Sequence, residues 1–202
     1  MKSLESFAEK KKWKIVANLY RRAASLGPFQ LIHIHRINLV RLKLDQANVY
    51  AGHCQRLLAS IKQSGGQVSP AQANFFAWLC CIGPANKEDA AYAAKLIEAA
   101  LATLPKSAKQ ARYSYLNTWG ATLYRAGQYK AAIQRLNEGI ELHGAQGGPM
   151  DWLFLAMAHQ QLKDTKSARM WLDKVTASKA HPTIIWDRLE FDLIEAEARK
   201  SK

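Results

Sequence analysis

Residues 116–139 recur 36 positions later as residues 152–175, and a repeat of that length leaves few folds open. In the first copy Leu116, Trp119, Gly120 and Leu123 lie at helical spacing, Gly127 ends the segment, and Tyr129, Ala132, Leu136 and Gly139 begin a second helical pattern. In the second copy Trp152, Leu155, Ala156 and His159 take the places of the first helix, and Thr165, Ala168, Leu172 and Val175 those of the second. Apolar residues at this spacing mark amphipathic helices. A helix pair recurring at such a period marks a stack of hairpins, because one hairpin cannot bury its apolar face alone. Gly120 and Ala132, like Ala156 and Ala168, are small enough to let the two helices of a hairpin approach closely. Gly127 can take the left-handed conformation that ends a helix.

The rest of the chain reads as all-α, with no strand-like alternation of any length. Its 202 residues are 49% hydrophobic, and only six prolines and eleven glycines interrupt it. The pattern predicts one domain over residues 1–202. It comprises a truncated hairpin (1–28), four full ones (28–64, 69–105, 113–145 and 149–180) and a terminal capping helix over 183–200. The first segment pairs a short polar helix with Trp13, Val16, Tyr20, Ala23 and a closing Pro28. The stretch LIHIHRI would alternate like a strand, but no partner strand exists elsewhere. Ser64-Gly65-Gly66 stops a helix, and Ser69-Pro70 starts one with a cap and a proline at the first helical position. The last helix carries an apolar stripe at Ile185, Leu189 and Ile194. Its Asp187, Glu190, Asp192, Glu195 and Glu197 read as a solvated outer face, as a capping helix needs.

The segments ANFFAWLC, YLNTWGATLYRAGQYKAAIQRLNEGIE, GGPMDWLFLAMAHQQL and DRLEFDLI resemble the tetratricopeptide-repeat regions of planctomycete-type bacteria. Such regions often lie downstream of serine/threonine kinase or sigma-factor-like domains. The resemblance implies a right-handed superhelical array acting as a protein-interaction module, with no catalytic residues to carry over. It covers residues 50–200 well and 1–49 in outline. Lys163 departs from it by replacing the turn glycine, and His159 by occupying a slot usually held by Tyr.

Net charge is +13, and residues 1–70 hold 12 basic against 3 acidic side chains. That asymmetry raises an acidic partner or nucleic acid. Cys54, Cys80 and Cys81 are odd in number, lack metal-ligand spacing and have apolar neighbours, as buried thiols in a reducing compartment do. The N-terminus has no signal-peptide core, and no run is long enough to span a membrane, so a cytoplasmic protein is expected. His33 and His35 point to different sides of a helix, which is poor for chelation. Gly144, Gly147 and Gly148 lack the following Lys-Ser/Thr of a phosphate loop. The reading is therefore of no enzyme, no metal and no cofactor.

Three readings remain open. A scaffold would hold a peptide in the concave groove lined by the first helices, where His35, Asn74, Trp78, Asn117, Tyr124, Arg125, Met157 and Gln160 face inward. Asn74 and Asn117 would be solvated and bond an extended backbone, Trp78 and Tyr124 would offer apolar platforms, and Arg125 would suit an acidic peptide. The alternative is nucleic-acid binding through the basic N-terminal half, where Lys10, Lys11, Lys12 and Lys14 flank Trp13. A purely architectural spacer is a third reading.

Overall fold

The computed structural model describes residues 2–24, 31–144, 146–178 and 181–200, which form eleven helices and no strand. They are α1 (Lys2–Glu9), α2 (Trp13–Ala24), α3 (Leu31–Lys43), α4 (Ala47–Gln63), α5 (Pro70–Cys81), α6 (Lys87–Thr103), α7 (Lys109–Arg125), α8 (Tyr129–Leu142), α9 (Pro149–Gln161), α10 (Thr165–Ser178) and α11 (Ile185–Lys200). The first ten pair in order as hairpins, and each hairpin packs on the next. Pro28 lies outside the described residues. The LIHIHRI stretch is helical within α3.

The small residues act where the repeat pattern places them. A Cβ on Gly120 would overlap the Leu136 side chain and sit 3.2 Å from the Ala132 carbonyl oxygen, so α7 and α8 touch almost backbone to backbone. Ala156 on α9 and Ala168 on α10, at the matching positions of two helices that pack together, are both buried. Four hairpins turn the same way. Lys11, Asp45, Gly127 and Lys163 each take positive φ (53°, 57°, 79° and 63°). The next residue then donates its amide five residues back: Lys12 to Phe7, Gln46 to Arg41 and Gln128 to Leu123 at 2.9 Å, and Asp164 to His159 at 3.0 Å. This is the paired-bond termination of a helix by a left-handed residue. Glycine is cheapest there, yet only one of the four is glycine. At Lys163 the turn is further held by His159 Nδ1, which lies 3.0 Å from Asp164 Oδ2.

The third hairpin departs from its neighbours. Helix α5 starts as anticipated, with Ser69 Oγ accepting from the Gln72 amide and Gln72 Oε1 accepting from the Ser69 amide. It ends with no left-handed residue, because Ile82 stays right-handed (φ −63°). The chain leaves through Gly83, where a Cβ would lie 2.6 Å from Leu42 Cδ2. Tyr50, fully buried, holds this exit by accepting from the Gly83 amide at 3.0 Å and donating to the Leu79 carbonyl at 2.9 Å. The three cysteines are buried free thiols, and burial pushes the Cys81 thiol well above the usual range.

Helix α11 corrects the expectation of an outward-facing cap. It does not simply cover the end of the stack. It packs on α9 and α3, with a smaller contact on α1, and so runs along the inner wall formed by first helices. Its buried set is wider than the foreseen stripe and includes Trp186, Phe191 and Ala198 beside Ile185, Leu189 and Ile194. Trp186 meets the rings of Trp13 and Tyr20 at 6.3 and 6.2 Å, which ties the last helix to the first hairpin.

Candidate functional site

Helices α5, α7 and α9 contact one another in turn and form the middle of the inner wall. Toward α3, His35 meets Phe75 at 6.2 Å. The eight residues anticipated to face inward are distributed among three different environments.

Four of the eight are held by α11: His35, Trp78, Arg125 and, through the Ala198 carbonyl, Gln160. Glu190 of α11 takes both His35 Nε2, at 2.6 Å, and the Trp78 indole N–H, at 3.0 Å, so it is no solvated carboxylate. The Arg125 side chain is only 6% exposed and bonds Glu197 through two nitrogens, at 2.5 and 2.8 Å. The same guanidinium donates to the carbonyls of Cys81, at 2.7 Å, and Ile82, at 3.1 Å. These are the orphaned last carbonyls of α5, which ends without the turn that would satisfy them. Arg125 therefore caps a helix C-terminus, where a cation also suits the helix dipole, and Glu197 balances its charge. Glu197 bonding raises the Arg125 pKa against the burial that opposes it, which is the larger single influence and acts downward. Arg125 is not available to an acidic peptide.

Two of the eight are core. Met157 is fully buried, and Tyr124 is 7% exposed, with its ring 5.9 Å from Phe154 and 5.8 Å from Tyr129. Burial pushes the Tyr124 hydroxyl up to about 12. Gln160 donates to the Ala198 carbonyl at 3.0 Å and lines a separate cleft beside α10.

Asn74, Asn117 and Trp78, whose indole N–H is the one held by Glu190, do come together. They line an open cavity of about 340 Å³ with Tyr113, Ser114, Thr118, Gly148, Pro149 and Met150. Asn117 is not free as anticipated: its Nδ2 donates to Asp151 Oδ1 at 2.6 Å. Asp151 is fully buried and also accepts from the Tyr113 hydroxyl, at 2.5 Å, and the Gly148 amide, at 2.7 Å. Burial raises its pKa, while the bonds from Tyr113, Gly148 and Asn117 oppose that rise. Burial also drives the Tyr113 phenol well above its ordinary value, helped by the Asp151 bond. Asn74 Oδ1 is buried without a hydrogen-bond partner. The sequence carried a signal for Asp151, which follows Pro149 as the acidic residue in a first helical turn. Nothing in it showed that Tyr113 and Asn117, one turn apart on α7, would both reach that carboxylate.

Displacing α11 to open the whole wall is energetically out of reach for an ordinary partner. Burying Ile185, Trp186, Leu189, Phe191 and Ile194 contributes on the order of 10 kcal/mol, comparable to the whole stability of a typical domain. The cavity between α5, α7 and the start of α9 is open without any such displacement. No helix among the described residues is long and apolar enough to cross a membrane, and no group of three or more His, Cys, Asp or Glu among them could hold a metal. No family model matches the chain, and comparison with curated proteins and with solved structures gives no match.

Proposed function

We propose that this chain is a non-catalytic protein-interaction module of the tetratricopeptide-like kind, capturing a peptide segment of a partner at the cavity between α5, α7 and the start of α9. The supporting observation is convergence: Asn74 and Trp78 on α5, Ser114, Asn117 and Thr118 on α7, and Met150 on α9 border one open space. Polar atoms around an apolar ring and a thioether are what a peptide side chain plus its backbone can use. The rest of the wall serves as framework, with α11 as a permanent filler. Selection of a displayed random peptide library on the immobilised protein tests this. Selected peptides should lose binding to Ser114→Trp, which fills the cavity, and keep it with Lys166→Ala, on exposed α10. Peptides that bind Ser114→Trp as well as the parent protein would refute the assignment.

A second reading rests on a separate observation. Lys10, Lys11, Lys12 and Lys14 are all exposed around the α1–α2 turn, and none forms an ion pair among the described residues. Nucleic-acid binding there would weaken steeply with salt, and changing the four lysines to Gln would flatten that slope. Salt-independent binding, or none, would remove this reading.

A further inference from the structure

Around the cavity, hydrogen-bond donors on five side chains are already committed to the protein itself. The Trp78 indole N–H goes to Glu190. The Tyr113 hydroxyl proton and one Asn117 amide proton go to Asp151. The Ser114 hydroxyl donates to the Gln110 carbonyl at 3.2 Å, and the Thr118 hydroxyl to the Ser114 carbonyl at 3.1 Å. Pro149 has no N–H to give. Lone pairs remain on Tyr113 Oη, Ser114 Oγ, Thr118 Oγ1 and the carbonyl oxygen of Asn117, which lies opposite the nitrogen that Asp151 holds. Asn74 Oδ1 adds a buried acceptor that no donor meets.

Behind this layer stands a buried carboxylate. Both Asp151 oxygens accept, and its bonding partners (Tyr113, Asn117 and the Gly148 amide) are neutral donors. No Lys or Arg lines the cavity, in a chain of net charge +13. Two features oppose a negative potential here. The N-terminus of α9 brings the equivalent of about half a positive charge, which a full carboxylate in the same first turn outweighs. Two bases stand nearby: His143 stacks on Tyr113 at 4.1 Å between ring centroids, and Lys174 Nζ lies 4.6 Å from the Trp152 ring centroid and donates to the Gln146 carbonyl. The remaining basic surface acts only weakly beyond a screening length of about 8 Å at physiological salt.

We infer that the cavity between α5, α7 and α9 recognises a cationic, multiply donating group, the ammonium of a lysine or the guanidinium of an arginine in a basic peptide, and not the acidic peptide that the chain's net charge suggests. An ammonium brings three donors and no acceptor, and a guanidinium brings five. Either one matches a rim of lone pairs, supplies the donor that Asn74 lacks and can lie against the Trp78 face. A carboxylate there would face these lone pairs and the buried Asp151 charge.

This rests on the peptide-capture reading, and one experiment separates the two. A random peptide library is selected on the protein at about pH 8, where an ordinary histidine is neutral, and clones that still bind Ser114→Trp are discarded. The remaining clones are synthesised with acetylated N-termini, which leaves side-chain cations as the only ammonium source, and each is compared with its free-amine form. The expected result is a shared Lys or Arg whose change to Gln abolishes measurable binding. Asn74→Asp should tighten binding about threefold to tenfold and Asn74→Leu should weaken it. Binding that needs the free terminal amine would assign the same cation chemistry to a chain terminus and overturn the side-chain assignment. Cavity-dependent clones with acidic or uncharged anchors, or no gain from Asn74→Asp, would overturn the cation inference and leave peptide capture standing. If no cavity-dependent clone is recovered, peptide capture itself fails.

Discussion

Replacing Glu197 with Ala tests the most consequential packing claim, that α11 is fastened into the inner wall by a buried charge. The change leaves the Arg125 guanidinium with two carbonyl partners and no counter-charge. Breaking a buried pair by removing one member costs about 3–5 kcal/mol. The Glu197 side chain is 30% exposed, so water can replace part of the lost bonding, and the lower end, about 3 kcal/mol, applies. For a domain of this size, 1 kcal/mol shifts Tm by about 2–4 °C, which gives a fall of roughly 6–12 °C. Glu197→Gln keeps hydrogen bonding without charge and should fall between. Glu195→Ala is the control. It removes a surface pair with Arg199 four residues on, worth about 0–1 kcal/mol. Thermal unfolding followed by circular dichroism reads all three. A Glu197→Ala melt within about 2 °C of the parent, or equal to that of Glu195→Ala, would refute the buried pair and with it the seating of α11.

Two glycine-to-alanine changes should act in opposite directions. Gly120→Ala places a methyl into the Leu136 side chain, and an overpacking cost of about 1–3 kcal/mol outweighs the roughly 1 kcal/mol gained in helix propensity. Gly52→Ala meets only the end of Arg56 at 3.4 Å and should stabilise; equal signs in urea unfolding would contradict the hairpin register. Asn117→Ala should cost about 1–3 kcal/mol, because it strips a donor from the buried Asp151; unchanged stability would show that Asn117 is free in the cavity. Burial holds the Asp151 proton more tightly in the folded chain than in the unfolded one. Its contribution to stability is therefore complete below the unfolded carboxylate pKa and declines as pH rises through the folded one. Stability curves of the parent and Asp151→Asn should diverge across the carboxylate range, the parent losing ground as pH rises, and parallel curves would exclude a raised pKa.

Helices and their pairing were legible in the sequence, because each depends on residues close along the chain. The 36-residue recurrence located the Gly120–Ala132 contact, and Ser69-Pro70 located a helix start, since spacing and capping are local. The left-handed turns at Lys11 and Asp45 were not legible, and at Lys163 only the register with Gly127 marked the position. A backbone bond five residues back imposes the conformation, and any side chain can be driven into it at modest cost. Tertiary structure alone decided the placement of α11 and the partners of the inward residues. Its sequence shows apolar residues on more than one side, but which wall they cover depends on the path of ten preceding helices. Glu190 and Glu197 read as solvated until His35, Trp78 and Arg125 arrive from helices far away in sequence. Arg125 itself reads as a groove cation until α5 is seen to end without a turn that satisfies its carbonyls. Charge and polarity are written in the sequence; whether a polar group faces water, a ligand or its own chain is a three-dimensional question, because its partner is set by distance in space.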